Sequence, residues 1–592
     1  MKSFFLNIAL FISVNIFAQN DQLAQNYFDK GDFEKALISY QELVKLQPSN
    51  WTFLQKTVEC YQQLKQFDKA EQAIKKQLDK YNQASSLVEM GYNYQLQKID
   101  DKANKYYNQA IDRIKKNPNE VYGVAPVFEK KVLIDLALLA YETAIATDSK
   151  YSFNYQMAIL YGQKGNTEMM IEKFLLESYT NKQNLIAIQF QLSRFITEDN
   201  NLTFVESLRK ALVLQSQKSQ DVFWNQYLSW FYVQQKEYGK AFIQEKAIFK
   251  RNPETFSNIV NLAKLAIDEG IKDTAIEILT FVLENTQDVN LQIQAHYYLA
   301  EMKINTGLPA IYGAIELELD QLVKQYGITT NSLSLQILQA HFSTFKMNNP
   351  TSGKAILKNA LTLPLNKYQL AEVKMELADI YLFEEKFNQA LLYYSQIEED
   401  LKNDVIGHEA SLKAAKTSYF KADFVWAQKQ FKELKSAATQ LIANDALEYF
   451  LLINDNTVAD STLTALKEFS RGDYFIYQNK NQEALEQFQK ILTNFKGNEI
   501  ESITLFRLGK TYEKLGDYTL ALSQYQTIIN KFEDGIYIDE ALYFSAEIYN
   551  NKLIDVEKAK ALYEKIVFYH EDSIYFIDSR KKYRQLRGDT NL

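Results

Sequence analysis

Residues able to carry covalent or metal chemistry are sparse and scattered in this chain. The four histidines, His296, His341, His408 and His570, lie far apart. None pairs with another at the three- or four-residue spacing that sets two imidazoles on one helix face, so no local metal site is written. Cys60 is the single cysteine. It has no partner for an internal disulfide or a CxxC redox pair, and directly before Tyr61 in a helical pattern it reads as a small packing residue. No Gly-x-Ser-x-Gly elbow and no phosphate-cradling glycine loop occurs. Carboxylate runs such as Glu384-Glu385 and Glu398-Glu399-Asp400 fall at helix ends or in turns, as solvated charges do. Neither catalysis nor a cofactor or metal is expected. The chemistry that remains is recognition by aromatic and charged side chains at helical spacing. The candidates are Phe506, Lys510 and Lys514 in one segment, Asp473 and Tyr477 in the one before, Lys416, Tyr419 and Phe420 before that, and Trp230 in the first half. Aromatic rings supply large contact areas at low entropic cost, which suits binding hot spots.

A repeating unit sets those positions. It places a small residue first, then Tyr three on, Gly seven on, an aromatic nine on, Ala twelve on and Tyr or Phe sixteen on; Gly509, Tyr512, Gly516, Tyr518, Ala521 and Tyr525 fill it. Ala24, Tyr27, Gly31, Phe33, Ala36 and Tyr40 fill it again, and so, less completely, do Ala378, Tyr381, Phe387, Ala390 and Tyr394. About eleven copies are recognisable, at the 34-residue period of a helix–turn–helix repeat. The last, Ala546, Tyr549, Ala559 and Tyr563, carries one extra residue in its turn. Stretches 117–150, 185–221, 290–365 and 437–465 keep helical periodicity without the full signature.

This pattern resembles the tetratricopeptide repeat superfamily along most of the chain. The resemblance implies an all-α, right-handed superhelical solenoid of antiparallel helix pairs, about fifteen of them, each burying its apolar face on its neighbours. It also implies that the first helix of each pair lines a concave, protein-binding face. Some relatives clamp a C-terminal carboxylate with converging lysines and amides. Here Lys416, Lys510 and Lys514 are widely separated, so a clamp is not supported. The closing stretch, from Phe532-Glu533-Asp534-Gly535 through Glu540-Ala541 to the basic run Arg580–Arg587, resembles periplasmic repeat proteins of the outer-membrane assembly and cell-envelope group.

Residues 1–18 read as a secretory signal peptide: Lys2 precedes a mostly apolar run, and Ile16-Phe17-Ala18 offers a small-residue cleavage site. The repeat array is expected to divide into 19–345, a hinge or degenerate repeat at 346–370, and 371–592 with a capping helix at 575–588. The formal net charge of −8 disfavours a general nucleic-acid binder. Together these features lead us to expect an exported, periplasmic, non-enzymatic scaffold that holds a cell-envelope protein in its groove. It would not span the membrane once the signal is cleaved, and it would meet the outer membrane only through a partner. The alternative is recognition of a carbohydrate or cell-wall polymer by an aromatic-lined groove. The register itself is testable. Ala521→Trp should overfill the crossing of two paired helices and lower stability by about 1–3 kcal/mol in circular-dichroism melting; an unchanged melt would mean that the register is wrong.

Overall fold

The computed structural model describes residues 21–197, 202–253, 256–437, 439–458 and 463–589. The signal-peptide segment 1–18 lies outside them. The described residues are α-helical almost throughout, with a few short 3-10 and π turns and no strand. Successive helices pack as antiparallel pairs, such as Ser85–Leu96 with Asp100–Lys116 and Ile500–Leu515 with Tyr518–Lys531. The degenerate stretches are helical as well: they hold Val121–Lys130, Ile134–Thr147, Leu202–Lys218, Tyr312–Tyr326, Leu333–Phe345 and Gln440–Val458.

The sixteen-residue spacing has a direct steric cause. A Cβ added at Gly91 would come within 2.5 Å of the Tyr107 ring, one at Gly472 within 2.5 Å of Phe488, and one at Gly509 would overlap Tyr525. Each small residue is the site on the first helix where the ring from the second helix lies flat against the backbone. Elsewhere Ala24 faces this role opposite Tyr40, and Ala378 opposite Tyr394, all fully or nearly fully buried. Burying a phenol requires a partner for its hydroxyl. Tyr40 donates to Gln25 Oε1 at 3.0 Å, Tyr107 to Gln95 Oε1 at 2.6 Å and Tyr394 to Asp379 Oδ1 at 2.6 Å. The ring fills the interhelix space and the hydroxyl ties it back to the first helix.

Between the helices of a pair one residue adopts the left-handed conformation. Gly516 does so with φ 84°. The turn imposes a positive φ whatever residue occupies it, since Lys65, Lys98, Val132, Glu385 and Asn479 take φ of 56–61° at equivalent points. The extra residue of the last repeat is absorbed by a π-helical turn, Tyr549–Leu553, before Ile554 takes the left-handed position at φ 55°.

The described residues divide into two compact units, one of 21–197 with Thr203–Gln215, the other of Leu202 and the residues from Ser216 onward. In the first unit a continuous core runs from Val58 to Leu160. Beside it Lys131 bridges Glu59 and Glu89, at 3.3 Å each. Burial alone would raise the Glu59 carboxyl, but Lys131, with Lys130 and Lys56, holds it below its ordinary value. In the second unit, residues 346–370 contain the helix Pro350–Ala360, which packs on Leu333–Phe345 and Lys367–Phe383. The array ends in the helix Phe576–Arg587, closed by Gly588 at φ 82°.

Val132 offers a test of the turn. It is β-branched, exposed and held at φ 58°, a conformation costing roughly 1–2 kcal/mol for a residue with a Cβ. Val132→Gly should therefore raise stability by up to about 1 kcal/mol after the larger chain entropy of glycine is subtracted. A higher urea midpoint with an unchanged slope is the expected result; a lower midpoint would mean that the valine side chain contributes more than its strain costs.

Candidate functional site

The inner helices of the second unit surround a cavity of about 1190 Å³. Its wall comes from Leu333–Phe345, Lys367–Phe383, Val405–Phe420, Gln440–Val458, Thr464–Tyr477 and Ile500–Leu515. The Thr464–Tyr477 helix closes this wall in a way nearest-neighbour stacking does not require. The last carbonyls of a helix have no partner within it. Here Tyr474 donates to Leu382 O at 2.6 Å, Tyr477 to Asp379 O at 2.8 Å and Gln478 to Phe383 O at 2.7 Å. Asn479 Nδ2 reaches Phe345 O at 3.3 Å. Side chains in the last turn of one helix and just past it thus reach carbonyls of two helices 92 to 134 residues earlier.

Aromatic packing supports the closure. Phe345 meets Tyr477 edge-on at 5.8 Å, and Phe420 lies 5.4 Å from Tyr474 and 5.8 Å from Tyr477. Below them sits a charged floor. Asp473 accepts from Tyr419 Oη at 3.1 Å and from Arg507 Nε at 3.2 Å, while Arg507 also pairs with Glu448 at 2.8 Å. Burial pushes the Asp473 carboxyl up against the opposing pull of Arg507. A second group joins Lys413 to Asp379 at 2.6 Å, on the carboxylate that also receives the Tyr394 hydroxyl. His341, stacked on Phe345, places Nδ1 3.0 Å from Glu376.

Of the residues expected to bind, Lys416, Phe420, Asp473, Tyr477, Phe506, Lys510 and Lys514 all line this one cavity. The lysines separated along the sequence are brought to a common wall. Two of them are already matched, Lys416 by Asp445 at 3.1 Å and Lys510 by Glu513 at 3.0 Å. Tyr419 is fully buried behind the wall, with its hydroxyl on Asp473. Phe506 is mostly core, stacked on Tyr537 at 5.4 Å. Trp230 belongs to the helix Val222–Gln234, half-buried edge-on against Tyr227, and does not line the cavity. Sequence reasoning missed Lys346, Asn479 and Lys552. All three stand at or just beyond the C-terminal end of an inner helix or its π-helical extension, a position that the small–aromatic register does not mark. Among the described residues no cluster of His, Cys, Asp and Glu could hold a metal ion, and no helix is long and apolar enough to cross a membrane.

Two family models match parts of the chain. Residues 504–534 match a tetratricopeptide repeat, and residues 21–123 match the TT21 fifth ARM repeats domain. These segments, with the paired helices and their small–aromatic crossings, define tetratricopeptide- and armadillo-like helical repeats. No curated protein matches. Among solved structures the chain is similar to Naa15/Naa10 bound to HypK-THB, at 11% identity over 97% of this chain and 94% of that one, with a TM-score of 0.28. It is also similar to the APC/C hetero-tetramer Cut9-Hcn1, at 14% identity over 95% of each chain, TM-score 0.24. A monomeric IFIT1 mutant with m7Gppp-AAAA matches at 17% identity over 74% of this chain and 91% of that one, TM-score 0.26.

The helix-end caps can be tested singly. Tyr474→Phe keeps the ring and strips the only side-chain hydroxyl on Leu382 O. Leu382 O keeps the Glu385 N–H at 3.0 Å, so the loss of its second, buried donor should cost about 0.5–1.5 kcal/mol in urea unfolding; no loss would mean that this bond of the closure contributes nothing to stability.

Proposed function

We propose that this protein is a non-enzymatic interaction scaffold that holds a segment of a partner protein in the cavity of its second unit. The observation that carries the reading is the convergence of inner-helix side chains from residues 341 to 514 on one solvent-reached space rather than along a shallow face. Repeats of this type are in general binding surfaces built by stacking. The cavity wall offers aromatic edges and charges of both signs, which suit a polypeptide. A glycan platform would present flat, exposed rings flanked by amides. Instead Tyr419 and Phe506 are spent on the core, so the carbohydrate reading has no specific observation in its favour.

We further propose that the protein is exported and serves a cell-envelope complex in the periplasm, meeting the outer membrane through its partner. That step rests on the sequence of residues 1–18 and on the resemblance of the closing repeats to envelope proteins. Amino-terminal sequencing of the protein recovered from cells would check it: a start just after Ala18 is expected, and an intact Lys2 would overturn export by cleavage.

The binding site is tested by placing a photo-crosslinking amino acid at Lys510, which lines the cavity, or at Val425, which is exposed on the opposite helix of its pair. After irradiation of living cells, protein adducts are expected from position 510 and not from 425. Adducts from 425 alone would move the site out of the cavity.

A further inference from the structure

The charges lining the cavity are unevenly matched. Seven basic side chains, Lys346, Lys413, Lys416, Arg507, Lys510, Lys514 and Lys552, face five carboxylates, those of Asp379, Glu409, Asp445, Asp473 and Glu513. The four cations set along the inner helices are all paired: Lys413 with Asp379, Lys416 with Asp445, Arg507 with Asp473 and Glu448, and Lys510 with Glu513. The other three are different. No carboxylate of the described residues lies within ion-pair distance of Lys346, Lys514 or Lys552. The excess is therefore carried by these three residues.

The three share an architecture. Lys346 caps the end of Leu333–Phe345, Lys514 lies in the last turn of Ile500–Leu515, and Lys552 lies in the π-helical turn Tyr549–Leu553. Asn479, at the end of a fourth segment, links two of them. Its Nδ2 donates to Phe345 O at 3.3 Å and its Oδ1 accepts from Lys514 Nζ at 3.1 Å. Asn479, Lys514 and Lys552 are exposed and Lys346 is half-buried, so the group forms the mouth of the cavity, not its floor. A single cation at a helix C-terminus complements the helix dipole. That explanation covers each lysine alone. It does not cover two placed so that they repel: although the Lys514 side chain reaches solvent, the surrounding cavity wall strips water from its ammonium and, with the nearby Lys346 charge, holds it below its ordinary value. In a chain with a formal net charge of −8, this concentration of unmatched positive charge runs against the overall balance and favours an incoming anion.

We propose that Lys346, Lys514 and Lys552, with Asn479, form an anion subsite at the cavity mouth that receives aspartate or glutamate side chains from an extended segment of the partner protein. The inference rests on the reading of the cavity as a polypeptide site and names the chemistry of what enters it. The paired floor has no cation in excess, so the attraction for an anion falls to the mouth. The segment's apolar and polar groups then lie against Phe345, Tyr477 and Tyr518. Three lysine stems on flexible side chains can meet carboxylates at more than one register, so the subsite selects acidic composition more than one fixed sequence.

The experiment uses the full-length chain carrying the photo-crosslinking amino acid at Lys510, alone or with Lys346→Glu and Lys514→Glu. Adduct yield should fall at least about tenfold in the reversed protein, and the peptides captured by the unreversed protein should carry Asp or Glu near the crosslinked residue. Lys346→Gln with Lys514→Gln, checked for an unchanged melting temperature, should give an intermediate loss, which separates charge from misfolding. A synthetic copy of the captured segment, blocked at both ends to remove terminal charges, should lose binding when its acidic residues become Gln. When they become Lys, it should bind the charge-reversed protein instead. Adducts that survive reversal, or captured peptides without acidic residues, overturn the subsite while leaving the cavity reading intact. Capture of an anionic glycan or phosphate ester in place of a peptide also overturns it. Absence of any adduct from position 510 removes the cavity reading and the subsite together.

Discussion

The second unit depends on the capping of helix ends by side chains far away in sequence. Phe383 and Phe345 end their helices with carbonyls that no backbone donor meets, and Gln478 and Asn479 supply the donors, while Tyr474 and Tyr477 add a second donor to Leu382 O and Asp379 O. A stacked repeat array is held by contacts between neighbours, and such an array can flex by small rotations at every interface. Bonds that jump across intervening repeats remove that freedom locally. They fix the distance between the Thr464–Tyr477 helix and the ends of two earlier helices, and so convert an open concave surface into a walled cavity. The loop entropy of joining elements this distant grows slowly with length, so a few well-buried bonds suffice to hold it.

The buried charges follow from the same closure. Asp473 and Arg507 lie in adjacent inner helices, and the hydroxyl of Tyr419 reaches the carboxylate from a third. Such a group adds little net stability compared with a well-packed apolar one, because desolvation offsets most of the attraction. Its consequence is directional. The guanidinium reaches both Asp473 and Glu448, and a shifted register of the helices would leave at least one of these charges buried and alone. The polar floor therefore penalises misaligned inner helices more than it rewards aligned ones.

Most of the fold was legible because it is written in steric terms. The small residue and the ring sixteen positions later are two halves of one contact, and Gly509 with Tyr525 or Gly91 with Tyr107 carries that information in any single repeat. The extra residue of the last repeat could likewise be counted, and it appears as the π turn at Tyr549–Leu553. The site was legible only in part. Helical spacing placed Lys416, Asp473, Lys510 and Lys514 on the inner face, because each stands one or five positions after the small residue, roughly 100–140° round the helix from the contact with the paired helix. Spacing within a repeat cannot tell whether an inner-face aromatic meets solvent or the next repeat, and Phe506 and Tyr419 turned out to pack. Nor can it show which repeats face each other across the cavity. Lys346 lies in a stretch with no recognisable register, and its nearness to Lys514 is a property of the closure alone.

These points give the cavity an internal logic. Charges that must be buried to set the register of the inner helices are neutralised by one another, so they are unavailable to a ligand without disrupting the wall. Charges at helix C-termini are tolerated there by the helix dipoles and need no carboxylate partner from the protein. A helical array that winds inward will bring several such ends to the same opening. Unmatched cations therefore gather at the mouth as a consequence of how inner helices end, and Asn479 holds Lys514 toward that opening by the same residue that secures the closure through Phe345. The bond that shapes the cavity and the bond that orients its charge are made by one amide.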